Sequence, residues 1–119
     1  MTQRIFIPLH REEVAPRFDL ATEVLHAEFS DDGAIVKEKL LILPGPSAER
    51  LCHMVMTEHI HTLICGGIDQ EVYDYLVWKR IRVIDDVIGP GALMLRRYLK
   101  GHLKAGDIVI SDKAKVSSS

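Results

Sequence analysis

The sequence has little cysteine: only Cys52 and Cys65 occur among its 119 residues. Two cysteines are too few for a disulfide framework, and a reducing compartment would keep both as thiols. Long apolar runs are also missing, since no run approaches the roughly 20 residues that a membrane-spanning helix needs. The opening residues "MTQRIFIPLH" lack the apolar core and cleavage site of a signal peptide. We therefore expect a cytoplasmic protein without a membrane partner.

A dominant charge of either sign is missing as well. Fifteen Lys and Arg residues stand against 17 Asp and Glu residues, which gives a formal net charge of −2. This balance excludes the basic surface that is typical of nucleic-acid-binding domains. The composition, with 47% hydrophobic and 27% charged residues, is that of an ordinary globular protein, and the length suits one domain.

What is present is a regular alternation of strand-like and helix-like segments. Apolar runs predict strands at 4–9, 22–29, 34–43, 61–65 and 81–86, and apolar stripes predict helices at 48–59, after Asp69, and from about 91 to 101. Asp31, Asp32 and Gly33 form a turn signal that joins the second and third strands as a hairpin. The polar segment 10–21 predicts a loop, and 107–110 is a candidate short edge strand.

The predicted order is therefore β-β-β-α-β-α-β-α. A strand-helix-strand-helix sequence requires parallel strands with right-handed crossovers, whereas the hairpin is antiparallel. Together they predict an α/β fold with a single mixed five-stranded sheet flanked by helices. We expect residues 1–104 to form this domain and 105–119 to form a C-terminal tail that is partly disordered.

A candidate ligand site follows from this topology, because ligands bind beyond the carboxyl ends of parallel strands in open α/β sheets. The first strand ends at His10 and leads to a loop with Arg17. The fourth strand ends at "CGG", residues 65–67, and the fifth ends at Asp85 and leads to Gly89. We expect these segments to converge on one edge.

Cys65 allows two interpretations at this edge. The helix that begins after Gly67 has a positive N-terminal end, which attracts anions and lowers the pKa of a nearby thiol. Glycine lets a bulky anion approach the backbone closely, and a thiolate there could take part in iron–sulfur chemistry. Alternatively, Cys65 is a small buried hydrophobic residue at a strand end. From spacing alone, the second interpretation is the stronger.

Other chemical patterns are incomplete. The pairs His59 and His61, and Cys52 and His53, lack the further ligands of a zinc site. The Gly89-Pro90-Gly91 segment lacks the third glycine of a dinucleotide fingerprint and the following residues of a phosphate loop. The set Asp69, Asp85 and Asp86 is incomplete for two-metal hydrolysis, because the first strand carries no carboxylate. We expect a protein that is not an enzyme.

The ordered motifs resemble those of the dinitrogenase iron–molybdenum cofactor biosynthesis family, the small carrier proteins of nitrogenase cofactor assembly. The resemblance covers about 4–103 and rests on four stretches: "IFIPL", "VAPRFDLATEVL", "LICGGIDQEVYDYL" and "IRVIDDVIGPGALMLRRYLKGHL". Three positions depart from the family pattern. Arg17 stands where the family has histidine, and Asp19 and Asp69 stand where it has glycine.

The resemblance implies a ribonuclease H-like motif and a non-enzymatic carrier that binds an iron–sulfur or iron–molybdenum type cluster transiently. It implies cluster donor or acceptor proteins as partners and leaves a homodimer open. The implied ligand-binding residues are His10, Arg17, Phe18, Gly66, Gly67, Asp69, Asp85 and Gly89. The implied metal ligands are Cys65 and His10. The alternative is an anion- or ligand-binding regulatory module that keeps the fold without a cluster.

Overall fold

The computed structural model describes residues 2–109, which form one mixed sheet and three α-helices. The strands are β1 Thr2–His10, β2 Glu13–Val14, β3 Glu23–Ser30, β4 Ile35–Ile42, β5 Thr62–Ile64 and β6 Arg82–Ile84. The helices are α1 Ala48–Thr57, α2 Gln70–Trp78 and α3 Gly91–Leu99, and Phe18–Leu20 forms a short 3-10 helix. The strand order across the sheet is β4-β3-β1-β5-β6, with β2 paired to β1 outside this path.

The central strand β1 joins the two halves of the sheet. It pairs antiparallel with β3 and parallel with β5, which in turn pairs parallel with β6. Its side chains alternate between two buried clusters, so that Phe6 faces the cluster that includes α1 and α2, and Ile5 and Ile7 face the cluster that includes α3. The prediction of one mixed sheet with helices packed on it is confirmed.

The predicted hairpin between β3 and β4 is also confirmed. Gly33 has a φ of 85°, and the Ser30 N–H donates to the Ala34 carbonyl (2.9 Å). Ser47 is the N-cap of α1, since its hydroxyl accepts a hydrogen bond from the Arg50 N–H (3.1 Å).

The predicted number of five strands is wrong, because residues 2–109 contain a sixth strand inside the predicted loop. β2 pairs with the end of β1 through Leu9 with Val14 and His10 with Glu13. The two residues between them, Arg11 and Glu12, have φ values of 51° and 71°, as a tight hairpin turn requires. Asn and Gly usually occupy such positions, and a two-residue strand has no period, so the sequence carried no signal for this hairpin.

The segment after α3 returns to the sheet edge. Ile108 forms an isolated parallel bridge with Ile88, and the Val109 N–H donates to the Ile88 carbonyl (2.9 Å). The rest of the candidate edge strand and the predicted disorder of the tail lie outside the described residues. Within 2–109, none of the helices is long and apolar enough to cross a membrane.

Candidate functional site

The two glycines after β5 pack against the loop that follows β2. The Gly67 N–H donates to the Pro16 carbonyl (2.8 Å), and the Phe18 N–H donates to the Gly67 carbonyl (2.7 Å). A Cβ atom on Gly66 would lie 2.3 Å from the Ala15 carbonyl oxygen, which is far too close. The glycines therefore permit a close approach of the chain to itself, in addition to any approach of a ligand.

The loop after β6 completes this edge. The Asp86 N–H donates to the Gly66 carbonyl (3.0 Å), and the Val87 N–H donates to the Cys65 carbonyl (3.1 Å). Three segments that the topology placed together thus meet through their backbones: 15–18, 65–67 and 85–89. Between them lies a cavity of ≈ 200 Å³, and its lining residues are Pro16, Gly66, Gly67, Asp86, Val87 and Ile88.

Cys65 does not reach the surface of this edge. Its side chain is 0% exposed and belongs to the cluster between the sheet and helices α1 and α2. Burial, together with the smaller effect of the nearby Asp85 and Asp86 carboxylates, raises the pKa of the thiol to about 12. This burial does not favour the thiolate interpretation, because desolvation disfavours the charged form of the thiol. The interpretation of Cys65 as a small core residue describes its position correctly.

Arg17 lies on the rim of the edge, with its side chain 60% exposed. Its guanidinium donates to both carboxylate oxygens of Asp19, at 3.1 Å from Nε and 3.0 Å from Nη2. Such an exposed pair contributes little to stability, since water screens it. It does fix the orientation of the guanidinium and neutralises part of its charge.

The remaining candidate residues have different environments. Phe18 is 2% exposed and packs in the same core cluster as Cys65, so it anchors the loop instead of facing a ligand. His10 is exposed at the end of β1, with its Nδ1 3.5 Å from the Thr22 hydroxyl, and it is not among the residues that line the cavity.

Asp69 occupies the N-cap position of α2 with an extended backbone, but its side chain makes no capping hydrogen bond within the described part of the chain. Its carboxylate therefore leaves the first-turn N–H groups of α2 uncovered.

Asp85 and Gly89 serve the loop itself. The Asp85 carbonyl accepts from the Gly106 N–H (2.9 Å), and the Gly89 carbonyl accepts from the Val14 N–H (2.8 Å). Gly89 has a φ of 145°, and a Cβ there would lie 2.7 Å from the Val109 carbonyl oxygen. Glycine at this position is required by backbone conformation and by packing.

No group of three or more His, Cys, Asp or Glu residues that could hold a metal ion occurs within 2–109. The sequence predicted that the loops at 15–18, 65–67 and 85–89 lie together. It did not indicate that Pro16, Val87 and Ile88 form walls of the cavity. Apolar side chains and backbone carbonyl groups leave no recognisable motif in a sequence. The only available signal was the position of Pro16 inside the stretch "VAPRFDLATEVL".

The sequence matches no protein-family model and no curated protein. The solved structures that share its fold include the following three. The protein PH0822 has a TM-score of 0.76 at 16% identity, over 87% of this chain and 94% of that chain. A Methanocaldococcus jannaschii protein provisionally named dinitrogenase has a TM-score of 0.70 at 16% identity, over 87% and 94%. The apo form of the orange protein from Desulfovibrio gigas has a TM-score of 0.68 at 17% identity, over 87% and 92%.

These likenesses extend over nearly the whole domain, so this chain has the same architecture as the three proteins. One of the three carries the name dinitrogenase, which agrees in general terms with the nitrogenase-related resemblance of the sequence. At these identities the likeness shows the fold alone.

Proposed function

We propose that this protein is a non-enzymatic carrier or assembly protein for an iron–sulfur or iron–molybdenum type cluster. The observation that carries the proposal is the position of Arg17 and the start of α2 at one sheet edge, where Arg17 is bridged to Gly67 and Asp69 leaves the start of α2 uncovered. The guanidinium and the helix start each favour an anion, whereas the Gly66–Gly67 turn only brings the backbones together, since the Gly67 N–H is bonded to the Pro16 carbonyl. The shared fold with the orange protein and the protein named dinitrogenase supports a cluster as the anion.

The cluster would be held by charge and hydrogen bonds more than by bonds from protein to metal. His10 and Asp69 are the exposed candidate residues that could donate to a metal, and no group of three or more such donors occurs within 2–109. Cys65 would have to leave the core and lose a proton before it could ligate iron. The cargo that suits this edge is therefore an anionic cluster that brings its own sulfide ligands. Weak attachment also suits a carrier, because the cluster must leave.

The proposal includes a ribonuclease H-like motif for the fold, a cytoplasmic location and partner proteins that donate or accept the cluster. A homodimer is a further part of it. None of these features is needed for the binding experiment below, which uses the purified chain alone.

Anaerobic reconstitution with iron, molybdate and sulfide, followed by desalting, tests the proposal. We expect the wild-type chain to retain a visible charge-transfer band and bound metal. Arg17→Ala should retain several-fold less, because it removes the cation and leaves the Asp19 carboxylate unpaired at the rim. Arg82→Ala removes an exposed arginine elsewhere in the sheet and serves as the control. A colourless, metal-free wild-type protein would contradict the proposal.

Cys65→Ala completes the experiment. We expect this variant to retain the band, since the thiol lies in the core. If Cys65→Ala loses the band while Arg17→Ala keeps it, the cluster is ligated by cysteine and the proposed mode of binding is wrong.

A regulatory module that binds a small anion is the second candidate function. The ≈ 200 Å³ cavity favours it, because its lining includes no metal donor other than Asp86 and its size suits a small molecule better than a large cluster. A thermal-shift screen of carboxylates, phosphates and nucleotides with the wild type and Arg17→Ala separates the two candidates. Stabilisation by an organic anion that depends on Arg17, without any cluster uptake, would favour the module.

A further inference from the structure

The three helices end in the same backbone motif. The N–H of the second residue beyond each helix cap donates back to a carbonyl in the last turn: Ile60 to Val55 (3.1 Å), Ile81 to Leu76 (3.0 Å), and His102 to Arg97 (2.9 Å). This arrangement requires the preceding residue to adopt a left-handed conformation, which glycine adopts without strain.

Only α3 has glycine at that position. Gly101 has a φ of 76°, and a Cβ added there would meet none of the described atoms within 4 Å. α1 has His59 instead, with a φ of 53°, and α2 has Arg80, with a φ of 66°. A side chain is strained in this conformation. At this position α1 and α2 therefore have a strained basic residue, whereas α3, with the same hydrogen bonds, has an unstrained glycine.

His59 and Arg80 line the same cavity. It has a volume of ≈ 310 Å³ and lies where α1 leads into β5 and α2 leads into β6, at the amino ends of these parallel strands. His61 and Lys79 also line it, so that four basic side chains surround one opening. The apolar part of its lining consists of Val55, Met56, Ile60 and Ile81. Gly101 is not among its lining residues.

The tautomer of His61 is defined by the backbone. Its Nδ1 accepts a hydrogen bond from the Arg4 N–H (3.0 Å), so in the neutral ring the proton is on Nε2, which is a donor. The Lys79 ammonium lies 4.8 Å from the centre of the Trp78 ring and 5.8 Å from that of the Tyr75 ring, and neither ring lines the cavity. Lys79 is in no ion pair among the described residues, so its flexible side chain is available to turn toward a ligand.

The helix C-termini partly offset this positive charge. The last carbonyl groups of α1 and α2 point toward this end of the sheet and carry partial negative charge, which basic residues neutralise. Glu58 lies beside the cavity, and its carbonyl accepts a bond from the Arg4 guanidinium (3.2 Å). Neutralising a helix end, however, requires only a basic residue in the last turn. It does not require one in a strained conformation, since α3 has the basic residues Arg96 and Arg97 within its last helical turn.

We propose that this cavity binds the phosphate group of a small ligand, either inorganic phosphate or pyrophosphate or a small phosphate ester. The positive charges of Arg80 and Lys79 offset the repulsion between an anion and the helix ends, and phosphate accepts several hydrogen bonds from Arg, Lys and His donors at once. The volume is at the lower end of the range of about 300–1,000 Å³ for ligand pockets, which suits a small ligand. The site lies at the opposite ends of the strands from the Gly66–Gly67 edge and does not depend on the proposed carrier function.

Thermal denaturation with pyrophosphate, phosphate and AMP, each matched in ionic strength with sodium chloride, tests the proposal. We expect a saturable rise in Tm for the wild type with the inorganic probes. In Arg80→Gly and His59→Gly this rise should be lost, while the Tm without ligand stays the same or increases because strain is relieved. These variants thus separate loss of binding from loss of folding. Lys100→Ala, at the end of α3, should keep the full response.

Amide chemical shifts locate the ligand. Pyrophosphate should shift the amide signals of His61 and Ile81 and leave those of Gly66 and Gly67 in place. The proposal is overturned if no probe raises Tm beyond matched chloride, if Arg80→Gly and His59→Gly respond like the wild type, or if the shifts occur at Gly66 and Gly67. A response to AMP without a response to pyrophosphate or phosphate would also overturn it, because recognition would then lie with the nucleoside.

Discussion

The carboxyl ends and the amino ends of the parallel strands differ in where glycine occurs. At the carboxyl ends, Gly66 and Gly67 have no side chains, and the backbones of three segments come into direct contact. At the amino ends, His59 and Arg80 keep basic side chains in a backbone conformation that favours glycine. A glycine is therefore not by itself evidence of a ligand site. Another residue at a position that favours glycine is equally informative. We expect this contrast to appear in the stabilities of variants at the two ends.

The largest effect is expected at the glycine turn. Gly66→Ala places a Cβ 2.3 Å from the Ala15 carbonyl oxygen, and backbone cannot move aside as a flexible side chain can. We expect a loss of about 3 kcal/mol in the free energy of unfolding, measured by urea denaturation. Gly45→Ala is the matched control, because a Cβ there meets none of the described atoms within 4 Å. Similar stabilities for the two variants would show that the close approach is not rigid.

Cys65 gives the next largest effect. Cys65→Ser buries a hydroxyl in an apolar cluster, and we expect a loss of about 2 kcal/mol in the free energy of unfolding. Cys52→Ser should lose less, because Cys52 is only partly buried. In the native protein a thiol reagent should react with Cys52 before Cys65. Rapid modification of Cys65 without unfolding would show that the thiol reaches the surface after all.

The raised pKa of Cys65 also predicts a pH dependence. The folded protein keeps the thiol protonated up to a pKa of about 12, whereas the unfolded chain releases the proton near the ordinary value of 9.0. Between these values the folded state binds more protons, so stability falls as pH rises. We expect wild type to lose about 1.4 kcal/mol per pH unit relative to Cys65→Ala over this interval. Parallel stability curves for the two proteins would contradict the assigned burial.

The smallest effect has the opposite sign. Arg80→Gly relieves a strained backbone but increases the entropy of the unfolded chain, and we expect a net gain of about 0.5 kcal/mol in the free energy of unfolding. Arg82→Gly makes the same change two residues away, in β6, where φ is not positive. It should lose about 0.5–1 kcal/mol, because glycine weakens a strand. If Arg80→Gly is as destabilising as Arg82→Gly, then Arg80 is not strained.

Most of the fold could be predicted from the sequence because long elements repeat a physical pattern. β1, β3 and β4 carry apolar alternation or runs, and Ser47 and Gly33 mark a helix start and a turn by known chemistry. β2 could not be predicted, since it has two residues and follows a turn of Arg11 and Glu12 that departs from the usual turn residues.

The location of the candidate site could be predicted from the sequence better than its chemistry. Topology brings the loops at 15–18, 65–67 and 85–89 together, as the sequence indicated. Whether Cys65 faces solvent or core depends on which side of β5 its side chain leaves, and a three-residue strand has too few residues to show this from its pattern. The basic cavity could not be predicted at all. It depends on the left-handed conformation of His59 and Arg80, and basic residues after a helix normally indicate only its C-terminus.

Metal analysis of the protein purified without oxygen tests the central claim, that the edge formed by Arg17, Gly66–Gly67 and the start of α2 carries a cluster. We predict iron or molybdenum together with acid-labile sulfide in the purified wild-type chain, and several-fold less of both in Arg17→Ala. Equal metal content in the two proteins, or a wild-type protein without metal and sulfide, would contradict it.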